Sequence, residues 1–269
     1  MPSRRHRLQE ATGVQNTEED GLDQTSDNGN FITQSDLGRS ATAHMLGDLT
    51  CAIEPLRLTP LNRMLDIGCG FGGLAAFVGQ ALHIAEIHGI DKDEQALEEA
   101  RQKKVRTHHV DVSQFALPFP DSYFDLIISF GMLDYLPTYD EALREIGRVT
   151  RVGGYALISL PNLASWHNRI GMLLGYQPRD VEVSQEILPG VHPWYKKRQE
   201  TPVGHIHTVT TSAFRELMTH HGFETTRVTG AVPQGRISSY RFSELMDKVF
   251  AWRPTLARRF FYLGRKSSN

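Results

Sequence analysis

The chain has 269 residues, with 29 basic against 31 acidic side chains, 12 histidines and 40% hydrophobic residues. That hydrophobic content sustains a core and excludes a wholly disordered chain, and a net charge of −2 excludes a protein built mainly to neutralise phosphate backbones, so no nucleic-acid partner is expected. Two cysteines, Cys51 and Cys69, make neither a disulfide framework nor a four-thiolate zinc site, and no metal is expected. No run approaches the ~20 apolar residues of a membrane helix. The basic start Met1–Arg7 is followed by no apolar stretch. The expectation is a soluble, cytoplasmic protein without integral membrane association.

Residues 1–40 are rich in Asn, Asp, Gln, Ser and Thr and read as a disordered tail. The domain is expected over 41–269. Met45, Leu46, Leu49, Ile53 and Leu56 fall at helical spacing before Pro60, a helix that lids or packs on the domain behind it. Strands follow at Arg63–Gly68, Glu86–Asp91, Val105–Val112 and Phe124–Phe130, separated by helices at Gly73–Leu82 and Asp93–Lys103. A further helix, Tyr139–Thr150, is expected to stop at Gly153-Gly154 before a strand at Tyr155–Leu160. This alternation predicts an α/β, doubly wound, Rossmann-like sheet, mostly parallel, with helices on both faces. Residues 162–208 break the rhythm and read as a lid inserted into the domain, with one helix at Ser165–Gly175. Within it Ile170, Leu173 and Leu174 read as a stripe covering the core, and Lys196-Lys197-Arg198 as a solvated charge run. A helix at Ser212–His221, an amphipathic segment at Arg241–Phe250 and strands at Glu224–Thr229 and Arg259–Leu263 complete seven strands.

The informative stretch is Met64-Leu65-Asp66-Ile67-Gly68-Cys69-Gly70-Phe71-Gly72-Gly73. Glycines on alternate positions let the backbone turn sharply and lie close to a ligand. The helix that follows offers free N–H groups to a negative group. Gly68, Gly70 and Gly73 also satisfy the dinucleotide pattern. Asp66 separates the readings, because a carboxylate there repels a diphosphate and attracts a ligand bearing an amine and a sulfonium. Asp91, ending the second strand, can hold ribose hydroxyls in either case. Cys69 reads as a packing residue.

The runs LDIGCGFGG, HGID, HVDVSQFALPFPDSYFDLIISFGMLDYL and REIGRVTRVGGYALISLPN resemble class I S-adenosylmethionine-dependent methyltransferases. The nearer likeness is to the type 11, ubiquinone-biosynthesis and MetW-like groups, strong over about 61–162 and weaker over 205–229. The resemblance implies S-adenosylmethionine as cofactor. Asp66, Gly68, Cys69, Gly70 and Gly72 would hold its amino-acid part, Asp91 the ribose, and Lys92 would lie beside the adenine. Asp111 and the Val112 N–H would read the adenine edge, while Ser129 and Phe130 would border the methionine and sulfonium. It also implies an antiparallel seventh strand, which suits Arg259–Leu263. Ser129-Phe130-Gly131-Met132 stands where many N-methylating nucleic-acid enzymes carry Asn/Asp-Pro-Pro-aromatic.

For a hydroxyl acceptor a base is needed, and His207 or His205 is the candidate. Asp134, Tyr135, Trp166, His167 and Asn168 could face the acceptor. Lid residues Trp166, Leu173, Leu174, Tyr176, Trp194 and Tyr195 favour a small-molecule or lipid-like partner. The expected function is methyl transfer from S-adenosylmethionine. The alternatives are a catalytically idle, MetW-like partner protein and an NAD(P)-dependent oxidoreductase.

Overall fold

Seven strands form one sheet in the order β3-β2-β1-β4-β5-β7-β6. The computed structural model describes residues 43–112, 116–193, 202–231 and 241–267, without the side chains of 43–45 and 241–244. The expected tail, Trp194, Tyr195 and the charge run at 196–198 lie outside these. β1 (Arg63–Ile67), β2 (Glu86–Asp91), β3 (Arg106–His109), β4 (Phe124–Phe130) and β5 (Thr150–Pro161) pair in parallel. β7 (Arg259–Lys266) runs antiparallel to both β5 and β6 (Phe223–Ala231), so one reversed strand closes an otherwise parallel sheet.

The strand period of two explains the two cores. Leu65, Ile67, Ile127 and Ile158 point to one face, where α4 (Asp140–Val149) and α6 (Thr211–His220) supply Leu143, Ile146, Phe214 and Met218. Met64, Leu126, Ile128 and Leu157 point to the other, against α1 (Ala43–Ile53) and α2 (Gly73–Ala81). Alternation thus makes a continuous apolar run such as Phe124–Phe130 suit a strand covered on both sides. α1 lays Leu49, Ala52 and Ile53 into the second core, as one of the two expected placements had it. α3 (Glu94–Gln102) begins where the Asp93 carboxylate accepts from the N–H groups of Gln95 and Ala96 at 3.0 and 3.2 Å, an N-cap that satisfies orphan donors.

Three expectations need correction. Gly153-Gly154 does not end α4: the helix stops at Val149, and β5 runs through both glycines from Thr150. The register against β4 shifts between Phe124 and Leu126. A Cβ on Gly154 would stand 2.9 Å from the Arg151 carbonyl oxygen and 3.0 Å from that of Asp125, so the glycine serves a bulge rather than a helix stop. The third strand is shorter than Val105–Val112. The stripe Ile170, Leu173, Leu174 on α5 (Trp166–Leu173) is exposed rather than covering the core.

α5 is anchored instead through its first turn. Trp166 stacks on Phe250 of α7 (Arg241–Ala251) with centroids 5.6 Å apart. Its indole Nε1 donates to Asp247 at 2.8 Å, and Arg258 Nε donates to the same buried oxygen at 2.6 Å. The Asn168 side chain donates to the Leu163 carbonyl at 3.1 Å, and that of Asn162 to the Ala257 carbonyl at 2.8 Å. His167 is buried beside them; burial first, then the Arg258 and Arg179 cations, push its imidazole well below the ordinary range. His167 and Asn168 therefore belong to the root of the insertion.

Candidate functional site

Parallel strands deliver their carboxyl ends to one edge of the sheet, and where the order reverses between β1 and β4 a crevice opens. The glycine loop sits there. The N–H groups of Gly68 and Cys69 both donate to the Ile90 carbonyl, at 2.9 and 3.0 Å, so the turn is tied to the end of β2. Gly68, Gly70 and Gly72 all have positive φ, at 78°, 47° and 77°. Their surroundings differ. A Cβ on Gly68 would meet Met132 at 2.8 Å and one on Gly72 would meet Ala100 at 2.7 Å, whereas nothing lies within 4 Å of that position on Gly70. The outer glycines serve packing, and Gly70 is the open face a ligand can approach.

Two carboxylates flank this turn. Asp91 accepts the Gly70 N–H at 2.9 Å with one oxygen and the Asp93 N–H at 3.0 Å with the other. Asp66 is buried, 3% exposed. Burial, and then the nearby Asp91 charge, push its carboxyl up to about 8. A carboxyl in that state gains most from a cation, which restores the ionised form. Cys69 packs away from the crevice: a Cβ on Gly89 would lie 2.7 Å from its sulfur, and burial pushes the thiol above its ordinary range. It is a packing residue, and its N–H belongs to the turn.

The other cofactor residues foreseen in the sequence line the same edge. Ser129 is buried and donates to the Ile67 carbonyl at 3.1 Å, joining the ends of β4 and β1. Phe130 turns its ring to Phe261, 5.7 Å away, so only its backbone is offered to the crevice. Lys92 is exposed, and its carbonyl pairs with His109 Nε2 at 2.9 Å. Asp111 is exposed. Val112, Ile67, Met132 and Leu133 line a small apolar recess.

Beyond the glycine loop a second group of polar side chains converges. Asp134 is 0% exposed, yet among the described residues neither carboxylate oxygen has a hydrogen-bond partner. Its Oδ2 lies 3.8 Å from His205 Nε2, and His205 Nδ1 is also buried without a partner. Buried groups left in this state are rare, and a pair of titratable ones makes this a candidate site. Burial pushes Asp134 up to about 7; the Arg259 cation opposes this and Asp180 reinforces it. Burial pushes His205 down, against the pull of Asp180 and Glu182, with Arg259 and Arg179 also lowering it. The backbone here is fixed by Glu182, whose carboxylate accepts the N–H groups of Val203, Gly204 and His205 at 2.9, 2.6 and 3.0 Å.

The two candidate histidines part company. His205 faces Asp134 and the Tyr135 ring, with centroids 5.2 Å apart. His207 is exposed, with Nε2 against the Pro137 carbonyl. Arg259 was not foreseen. It begins the reversed β7, far along the chain, and stands close enough to Gly131 that a Cβ there would lie 3.2 Å from its guanidinium. The antiparallel pairing of Arg259 with Pro161 on one side and Ala231 on the other brings it to the site. Among the described residues no group of three or more His, Cys, Asp or Glu could hold a metal, and no helix is long and apolar enough to cross a membrane.

Known proteins share this framework. The family described as methyltransferase domain matches residues 65–158. A fatty-acid O-methyltransferase of Mycolicibacterium smegmatis is 33% identical over 102 residues, 36% of this chain and 36% of that protein. The chain thus spans about a third of the length of that relative. A phthiotriol/phenolphthiotriol dimycocerosates methyltransferase of Mycobacterium leprae is 25% identical over 196 residues, 69% of this chain and 70% of that protein. A SAM-dependent methyltransferase structure from Thermotoga maritima, possibly a histamine N-methyltransferase, superposes with a TM-score of 0.53 at 18% identity, over 83% of this chain and 91% of its own. That likeness concerns the fold. Residues 65–158 of this chain thus match a methyltransferase domain, within a seven-stranded fold shared with S-adenosylmethionine-dependent methyltransferase structures.

Proposed function

We propose that the chain transfers a methyl group from S-adenosylmethionine to a hydroxyl oxygen of a small-molecule or lipid-like acceptor. The observation that carries the cofactor is the buried, strongly raised Asp66 beneath a glycine turn whose middle residue faces open space. That donor set suits a ligand with an ammonium and a sulfonium, whose charge draws the carboxyl into its ionised form, whereas a diphosphate disfavours that form. When bound, the cofactor would supply an electrophilic methyl on a positively charged sulfur. The protein's own groups do the rest. Asp66 holds the amino-acid end across Gly70, in a turn shaped by Gly68, Cys69 and Gly72, and Asp91 holds the ribose. Lys92, Asp111 and Val112 border the adenine, and Ser129 with the Phe130 backbone borders the sulfur. Calorimetric titration with S-adenosylhomocysteine, NADH and NADPH tests this: heat with the first alone, lost in Asp91→Ala, is the expected result. Heat with a nicotinamide nucleotide would establish the oxidoreductase alternative instead.

On the acceptor side, His205 takes the hydroxyl proton on its neutral imidazole, and Asp134 steadies the imidazolium that forms. Arg259 donates toward the acceptor's oxygen, where negative charge develops. Names of relatives that act on fatty acids and dimycocerosates support a lipid-like acceptor. A screen of phenolic, glycosidic and hydroxylated lipid acceptors addresses its identity. No turnover of any of them by a chain that binds cofactor would favour the idle, MetW-like alternative. With a working acceptor, the rate rises with pH through about 7, as Asp134 ionises. Asp134→Asn removes that limb and lowers kcat roughly a hundredfold while the KM for S-adenosylmethionine stays put. An unchanged pH profile in the variant would remove Asp134 from the reaction.

A further inference from the structure

We infer that α5 and α7 form a docking face for a lipid bilayer with anionic headgroups, which brings the acceptor site to the membrane surface. On α7, Leu245 and Val249 recur at i and i+4 and so share one stripe, and Trp252 follows one residue past the helix end. The stripe faces solvent, Trp252 being 84% exposed. The helix is locked in this orientation: its opposite side carries Asp247, buried and held by Arg258 and the Trp166 indole. Rolling the stripe inward would break that buried pair. On α5 the same Trp166 fixes the first turn, and Ile170, Leu173 and Leu174 are left outward, Leu173 being 86% exposed.

Charge selects the occupant. Across residues 245–253 the exposed charged side chains are Lys248 and Arg253, while the one acid, Asp247, is buried and neutralised. Leu, Val and Trp beside Lys and Arg on an outward helix face is the pattern of an interfacial helix, with indole and aliphatic groups below the headgroups and cations among them. Position agrees. α5 leaves the carboxyl end of β5 just beyond Pro161, and α7 leads into Arg259 at the start of β7. Both therefore stand at the edge of the sheet that holds Gly70, Asp134 and His205. The inference rests on the reading of a lipid-like acceptor, which would have a short path from bilayer to site.

Sedimentation of the full chain with phosphatidylcholine vesicles, with and without phosphatidylglycerol, tests it. The chain should pellet with the anionic vesicles, less so as salt is raised, with a blue shift of tryptophan fluorescence. Trp252→Glu and Leu245→Glu should each lower binding at least tenfold, and Lys248→Glu about fivefold. All three should bind S-adenosylhomocysteine as the wild type does, which shows that they are folded. A chain that binds the nucleoside but pellets with neither vesicle overturns the inference. So does a concentration-dependent dimer, seen without lipid and abolished by the same substitutions, since a second copy would then be the occupant. Pelleting by a chain that binds no S-adenosylhomocysteine would support the docking face and overturn the methyl-transfer reading alone.

Discussion

Asp66→Asn should melt at a higher temperature than the wild type and lose its hold on S-adenosylhomocysteine. The carboxyl is buried and its folded value stands at about 8, well above the ordinary 3.8. Between those values the unfolded chain gives up the proton and the folded chain keeps it. Stability therefore falls as pH rises from about 4 to about 8, by up to about 1.4 kcal/mol per unit, and levels off above. Asparagine matches the neutral acid and never ionises, so the gap between variant and wild type widens across that window, to roughly 5 °C or more by pH 8. Binding moves the other way. The ligand's ammonium needs the carboxylate, and its loss costs about 2 kcal/mol, some thirtyfold in Kd. In the wild type at pH 7, binding should release close to one proton, visible when the calorimetric heat is compared in two buffers of different ionisation enthalpy. A variant that binds equally well, with the same proton release, would remove Asp66 from the site.

Asp247→Ala carries the largest expected loss of stability. Asp247 and Arg258 are 6% and 7% exposed, with Nε and Oδ1 2.6 Å apart, and the Trp166 indole shares that oxygen. Removing the acid strands a buried guanidinium and an indole N–H. Breaking a buried pair from one side costs about 3–5 kcal/mol, roughly 10 °C in melting temperature for a chain of this size. The double variant Asp247→Leu with Arg258→Met should recover most of this, because it leaves no charge behind. Thermal unfolding of the three chains decides it. A harmless single variant would mean that the clasp between α5 and α7 holds without the ion pair.

Much of the framework was legible because it depends on local chemistry. The apolar run Phe124–Phe130, the capping Asp93 before α3, and the alternation of Asp66, Gly68, Gly70 and Gly72 each specify a conformation within a few residues. What escaped depends on pairing at long range. Gly153-Gly154 has the look of a helix stop, and only the neighbouring β4 backbone makes it a bulge within β5. Ile170, Leu173 and Leu174 have a core stripe's composition, but Trp166 is the residue that docks, and the stripe is left outward. His205 and His207 alternate in sequence and were indistinguishable there. The fixing of 203–205 by Glu182 and the burial of Asp134 set His205 apart. Arg259 carried no local signal at all, since it reaches the site through an antiparallel strand that starts almost a hundred residues after its partner β5 ends.

The most direct measurement is a crystal structure of the chain grown with S-adenosylhomocysteine, alongside crystals soaked in NADH. The expected result is the nucleoside with its ribose hydroxyls on Asp91, its amino group toward Asp66 and its chain lying across Gly70, with the NADH-soaked crystals showing no nucleotide there. Diphosphate seated against Gly68–Gly72, or S-adenosylhomocysteine bound away from both carboxylates, would contradict the account.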